Sequence, residues 1–283
     1  MFLRSALSLW PLARNGTRSY SSTGVTKLVA VTVDDQTGIA TVNLQRPPVN
    51  SLNLELLTEL SSSLTDLEKN KSRGIILKSY SDAVFSAGID ILEMYKCEEE
   101  RVTLFWSALQ EVWIKLYGHF APTVACINGH APAGGCLLAL SCEYRVMVKE
   151  KTIGLNETKL GIVAPQWFIA SLVNIIGQRQ SEVALTTGKM FTTEEALRIG
   201  LVDEMAENTE DAFSKSLEFF KKFKNISPFA RAQTKAFIRE STIQALVKNR
   251  EKDLKMFINE IRKENVQKGL GQYLESLKKR KVS

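Results

Sequence analysis

Between residues 74 and 148 the chain runs through one local pattern: a short apolar run, a glycine-bearing turn, then a helix-patterned stretch. Ile75, Ile76 and Leu77 read as a strand, and residues 102–117 carry Phe105, Leu109, Val112, Trp113 and Leu116 at helical spacing. Residues 124–128 form a second strand, residues 129–136 a glycine-rich turn that leads straight into a helix over 137–142, and residues 144–148 a third strand. Strands alternating with helices predict an α/β core.

The flanks fit around that core. Residues 27–33 and 38–44 are β-rich and separated by Asp34, Asp35, Gln36 and Thr37, which predicts a hairpin, and Arg46-Pro47-Pro48 ends the second strand. Leu54, Leu57, Leu60, Leu64 and Leu67 then mark one face of a helix. Thr192 and Glu195 have capping-box spacing, and Ser227-Pro228 sets a cap and a first-position proline in the favoured order. Charged helix formers dominate from Phe237 onward. With 283 residues, 44% of them hydrophobic, the chain can bury one large domain or two small ones.

The N-terminus differs in kind. No acidic residue precedes Asp34, and Arg4, Arg14 and Arg18 are interleaved with Leu3, Leu7, Leu9, Trp10 and Leu12. Arginine and serine without acid, on an amphipathic pattern, predict a mitochondrial transit peptide over residues 1–20 and a matrix location. The α/β core is then expected over 21–205 and a helical region over 206–283. No stretch reaches the ~18 apolar residues of a membrane span, and Lys281-Val282-Ser283 is not a peroxisomal address. Cys97, Cys126, Cys136 and Cys142 form no C-x-x-C pair, and His119 and His130 are the only histidines. No metal site is expected, and the thiols read as reduced. The net charge of +6 fits a phosphate-bearing ligand at least as well as nucleic acid.

Three features carry chemistry. Glu157 is a lone carboxylate among Leu155, Leu160 and Ile162, where burial would raise its pKa toward neutrality and suit it to proton transfer; it could equally cap a turn or face water. Gly134-Gly135 opens a helix, where unpaired N–H groups and the positive dipole end can meet an oxyanion. The turn Ser86-Ala87-Gly88-Ile89-Asp90 could supply a second N–H; either glycine turn could also serve packing alone.

Phe85-Ser86-Ala87-Gly88-Ile89-Asp90-Ile91, residues 127–136, Thr187-Gly188 and residues 195–202 resemble, in order and spacing, the motifs of the crotonase superfamily over about residues 31–237. The resemblance implies a spiral of β-β-α units, a C-terminal helical region that assembles trimers, and an acyl-CoA thioester as substrate with no separate cofactor. It implies an oxyanion hole from the N–H groups of Ile89 and Gly134. Ala87, Gly88, Ile89, Asp90 and Ile91 would line the CoA site, and Glu157 would be the acid/base. Asn156 would bond near the substrate or orient Glu157, or else simply form the turn.

Hydratases of that superfamily place a second glutamate directly after the cysteine of the Gly-Gly-Cys turn; here that position is Leu137. Adding water needs an acid and a base around it, whereas moving a double bond needs one group that carries a proton between two carbons. The expectation is therefore isomerisation of a 3-enoyl-CoA to a 2-enoyl-CoA, with dienoyl-CoA isomerisation as a neighbouring possibility. Residues 46–52 and 154–158 resemble those of the family's isomerases. Two rivals differ in class. Cys136 at a helix start could be a nucleophile, as in a thioesterase. The basic residues Lys221, Lys222, Lys224, Arg231, Lys235 and Arg239 could bind RNA, but they read as a solvated face or CoA phosphate contacts, with no interleaved aromatics.

Overall fold

The computed structural model describes residues 17–19 and 27–280, so the expected leader lies outside the described residues except for Thr17–Ser19. That short strand, β1 (Thr17–Ser19), pairs antiparallel with β2 (Val29–Asp34). The hairpin from β2 to β3 (Ile39–Leu44) forms as its turn chemistry requires. Asp34 Oδ1 accepts the N–H groups of Gln36 (2.9 Å) and Thr37 (2.7 Å).

The helix α1 (Leu54–Lys69) starts where Asn53 accepts the Leu56 N–H at 3.1 Å, and it buries Leu56, Leu57, Leu60, Leu64 and Leu67. After β4 (Gly74–Ser79), α2 (Glu99–Tyr117) begins three residues before the apolar pattern does, with Glu99 and Glu100 favouring its first turn. Next come β5 (Thr123–Ile127), β6 (Ala131–Pro132) and α3 (Gly134–Ser141), then β7 (Tyr144–Val148), β8 (Thr152–Gly154) and α4 (Gln166–Ile176). The helix α3 opens at Gly134 itself, three residues before the predicted start. Beyond α5 (Gln178–Thr187) and β9 (Phe191–Thr192), α6 (Thr193–Arg198) carries the capping box complete in both directions.

The strand β10 (Glu204–Ala206) closes a seven-stranded sheet ordered β1-β2-β3-β4-β5-β7-β10, parallel from β3 onward; β6, β8 and β9 form a second, three-stranded sheet. Each β-β-α unit thus gives one strand to each sheet before its helix: β5, β6 and α3, then β7, β8 and α4. A parallel bridge from Val84 to His130 adds the same rung after β4. The expected spiral is present. Strands β4 and β5 are buried on both faces, which is why they read as unbroken apolar runs. One face packs on α1, α2 and α3; on the other, Ile76, Val124, Cys126 and Val146 meet Ala212 and Phe220 of α7 (Thr209–Lys221).

The chain ends in α8 (Pro228–Val247), α9 (Arg250–Ile261) and α10 (Glu264–Arg280), the helical region that was expected. Its basic residues correct the sequence reading. Arg231, Lys235 and Arg239 are not a solvated face; each is engaged by groups within the protein. Arg231 Nη2 holds both oxygens of Glu143 (2.6 and 2.5 Å) and Lys235 Nζ holds one (2.7 Å). Arg239 Nη1 donates to the Tyr117 and Ser141 carbonyls at 2.8 and 3.0 Å. Aromatics do interleave with the cations, since Lys222 lies over the Tyr144 and Phe219 rings and Arg231 over Phe223. Those rings pack on one another, Tyr144 stacked on Phe219 at 4.3 Å, so they are not a free stacking platform. Among the described residues no helix is long and apolar enough to cross a membrane.

Candidate active site

The small sheet assembles the site. Pairing of Ala131 with Ile153 and of Pro132 with Gly154, followed by a 2.8 Å bond from the Ala133 N–H to the Gly154 carbonyl, lays the start of α3 beside the segment that leads to Glu157. Ala133 takes φ 47° and ψ −121°, a strained geometry for a residue with a Cβ, and it aims the next peptide outward at the helix start.

The other turn packs directly on this one. A Cβ on Gly88 would lie 2.9 Å from the Gly134 nitrogen, and one on Gly135 only 2.2 Å from the Ser86 carbonyl oxygen, so both positions need glycine for the two backbones to touch. Leu52 pins the 86–90 turn: its N–H bonds the Gly88 carbonyl (2.8 Å) and its carbonyl takes the Asp90 N–H (3.0 Å). Ile89 lies between those bonds, and its nitrogen lies 3.2 Å from where a Gly134 Cβ would sit. Among the described residues neither the Ile89 nor the Gly134 N–H has a protein acceptor. Two donors without protein acceptors therefore lie side by side where the turns touch. Ala87 and Ile91 flank the turn as expected, the Ala87 N–H bonding the Val49 carbonyl (2.9 Å). Asp90 caps the following 3-10 turn through Leu92 N–H (3.1 Å) and pairs with Arg46 (2.8 Å).

Glu157 opens a 3-10 turn, Glu157–Leu160, and is 7% exposed. Among the described residues neither carboxylate oxygen has a hydrogen-bond partner, and burial pushes its pKa up to about 7. It neither caps the turn nor faces water. It can hold or release a proton near neutrality with nothing in the protein competing for it. Asn156 does not hold it in place; its carbonyl accepts the Lys159 N–H at 3.0 Å, the role of a turn residue.

Leu137, on the first turn of α3, is fully buried and apolar, as are Leu138 and Ala139. Glu143 lies beyond the far end of α3 and is consumed by Arg231 and Lys235. Cys136 is no nucleophile: it is fully buried, and burial, then the nearby Glu157 charge, hold its thiol well above the ordinary range. His130 is tied to Thr152, through Nδ1, at 3.0 Å.

The sequence reading missed the polar scaffold beneath the turns. Asn50 is fully buried; its Nδ2 donates to Ser79 Oγ (2.8 Å) and to the Phe85 carbonyl (3.1 Å), and its carbonyl accepts from Ser86 Oγ (2.7 Å). Ser86 Oγ in turn accepts the Gly88 N–H at 3.2 Å. Asn128 ties the Ser79 backbone to Ser81 and Asp82. The one signal available was an asparagine ending each of two apolar runs, Val49-Asn50 and Ile127-Asn128. Also missed was α10, which folds back over the site. Gln267 bonds the Met94 carbonyl and the Lys96 N–H (both 3.0 Å), and Gly269 packs near the Leu160 carbonyl. Trp167 and Phe168 are core residues, although Trp167 also lines a cavity of about 760 Å³ with Val163, Ala164 and Phe257.

A family model described as enoyl-CoA hydratase/isomerase matches residues 34–281. The chain belongs to that family. It is a crotonase-superfamily enzyme of the enoyl-CoA hydratase/isomerase type, and members of the superfamily act on acyl-CoA substrates. Mitochondrial enoyl-CoA delta isomerase 1 of Mus musculus is 44% identical over 272 residues, covering 95% of this chain and 92% of that protein. The Homo sapiens protein of that name is 43% identical over 270 residues, covering 94% and 88%. Among solved structures, human mitochondrial delta3-delta2-enoyl-CoA isomerase superposes with a TM-score of 0.87 at 44% identity, over 90% of this chain and all of that one. An enoyl-CoA hydratase from Bacillus halodurans gives 0.80 at 26% identity, over 87% of this chain and all of that one. The fold is thus common to both reaction types, and the site must decide between them.

Proposed function

We propose that this enzyme is a Δ3,Δ2-enoyl-CoA isomerase, converting 3-enoyl-CoA to trans-2-enoyl-CoA in the β-oxidation of unsaturated fatty acids. The observation that carries the reading is the partnerless carboxylate of Glu157, together with a buried, apolar Leu137 at the position where a hydratase needs its second glutamate. Glu157 removes a proton from C2, next to the thioester carbonyl. Charge passes to the carbonyl oxygen, which the N–H groups of Ile89 and Gly134 receive; loss of one such donor typically costs ~3–4 kcal/mol. Protonated Glu157 then returns the proton at C4, leaving the conjugated product. The apolar wall of Leu137, Leu138 and Ala139 keeps water from the intermediate.

The names of the similar mouse and human proteins support the same reaction, and with the arginine-rich leader they support a mitochondrial matrix location. Exposed Phe229, Phe237 and Ile238 on α8 support assembly as a homotrimer through the helical region. The test is a paired assay of wild type and Glu157→Gln on 3-enoyl-CoA and 2-enoyl-CoA. Wild type should isomerise the first and barely hydrate the second, and the variant should lose about a thousandfold in kcat. A variant that keeps most of its activity, or brisk hydration by wild type, would defeat the single-glutamate mechanism.

A further inference from the structure

Six buried side-chain polar atoms lack a hydrogen-bond partner among the described residues. Two are the oxygens of Glu157. Two more, Arg231 Nε and His119 Nε2, belong to residues that line one cavity of about 1140 Å³. The cavity lies where the parallel strands begin: Ile39 opens β3, Arg73 precedes β4 and Pro122 precedes β5. The catalytic turns follow the opposite ends of β4 and β5. A six-residue strand such as β4 spans about 20 Å, so this is a separate place from the active site.

Its chemistry is two-sided. The floor is apolar, with Ile39, Leu67, Ala121, Leu217 and Phe220, and Phe120 and Ile226 stand half-exposed at the mouth. Five cations, Lys71, Arg73, Lys221, Lys224 and Arg231, line it against two anions, Glu68 and Glu218. Arg231 joins the walls: Nη1 donates to the Phe120 carbonyl (2.7 Å), Nη2 holds Glu143, and the guanidinium lies 5.2 Å from the Phe223 ring centre. Its Nε–H is left over, in a side chain only 10% exposed. His119 Nδ1 accepts the Ala121 N–H (3.1 Å), which puts the remaining hydrogen on Nε2, engaged with the Leu64 carbonyl only outside hydrogen-bond geometry. A donor buried without an acceptor is costly, and an apolar pocket with a few convergent polar groups is how small-ligand sites are built.

We propose that this cavity binds a long-chain fatty acid, with its hydrocarbon chain on the apolar floor and its carboxylate among the cations at the Arg231 end. Stability of the complex grows with each methylene buried, so chain length governs affinity. The cavity's size suits one acyl chain taken from solution.

Full-length protein is labelled with a photoreactive diazirine palmitate and the modified peptides are mapped by mass spectrometry. Label is expected in segments 64–73, 119–122 and 214–228, and unlabelled palmitate should compete it away. The double variant Lys71→Glu/Lys224→Glu should label about tenfold less at a fixed probe concentration. Arg231→Lys, which keeps a cation for Glu143 but removes the spare Nε–H, should also label less, with thermal melting as the check on folding. Label confined to residues 155–164, or label indifferent to these substitutions, would overturn the site. Capture by a palmitoyl-CoA probe that palmitate cannot displace would overturn the carboxylate assignment. Binding only to phosphatidylglycerol vesicles would make this a membrane-facing surface and end the proposal.

Discussion

Glu143, just past the end of α3, and Glu157, opening the 3-10 turn after β8, are both largely withdrawn from water, and their ionisation shifts in opposite senses. Burial alone would raise both. At Glu143 the charges and hydrogen bonds of Lys235 and Arg231 overcome it and hold the carboxyl below its ordinary range. At Glu157 only its own backbone N–H opposes the burial, and the pKa rises to about 7. Desolvation is common to the two; the presence or absence of partners separates a structural carboxylate from one that can carry a proton.

Stripping the partnered site should have the largest effect on stability. Glu143→Ala leaves Lys235 and Arg231 as uncompensated buried cations and should cost about 3–5 kcal/mol, read from denaturant unfolding. The unpartnered site should behave in reverse. Its folded pKa lies above the ordinary 4.5, so the folded state binds the proton more tightly; relative stability is fully present below that value and lost as pH rises to about 7. Glu157→Gln removes the penalty. It should therefore stabilise the protein by up to about 3 kcal/mol at pH 8, and by little at pH 4. Equal gains at both pH values would mean that the carboxylate is not desolvated in solution. The subtlest contrast is kinetic. As a base Glu157 must be ionised, so kcat/KM should fall on the acid side with an apparent pKa near 7, about tenfold per pH unit once well below it. A flat profile down to pH 5 would place Glu157 with the partnered carboxylates.

Much of this was legible in the chain itself, wherever the physics is local. Asp34 and the Thr192–Glu195 box announce their turns because such side-chain bonds act within a few residues. The glycines of the 86–90 and 129–136 turns, and Glu157 among its leucines, were visible for the same reason. What failed was long-range. Glu143 meets Arg231 and Lys235 across 88 and 92 residues, and Arg239 reaches Ser141 across 98. No periodicity carries such pairings, so three internally bonded cations passed for a solvated face. The Asn50–Ser79–Ser86 scaffold hid likewise, because each member alone is an ordinary turn former. The start of α3 was misjudged because glycine favours no helix, whereas the conformation of Ala133 that sets the start shows only in the folded chain.

One consequence reaches beyond the site. The eight residues of α3 span about 12 Å, with N–H groups open at one end and, at the other, Arg239 and Arg145 on the carbonyls of Ser141 and Cys142. The helix is wired like a small battery, its negative terminal earthed by cations, one of them from the C-terminal region and the other from β7, and its positive terminal left live. On the proposed mechanism, the tail of the protein thus has a hand on the voltage at which an oxyanion is met, and sequence drift in α8 can tune turnover without touching a residue that meets substrate. Arg239→Gln should lower kcat severalfold while leaving KM where it was.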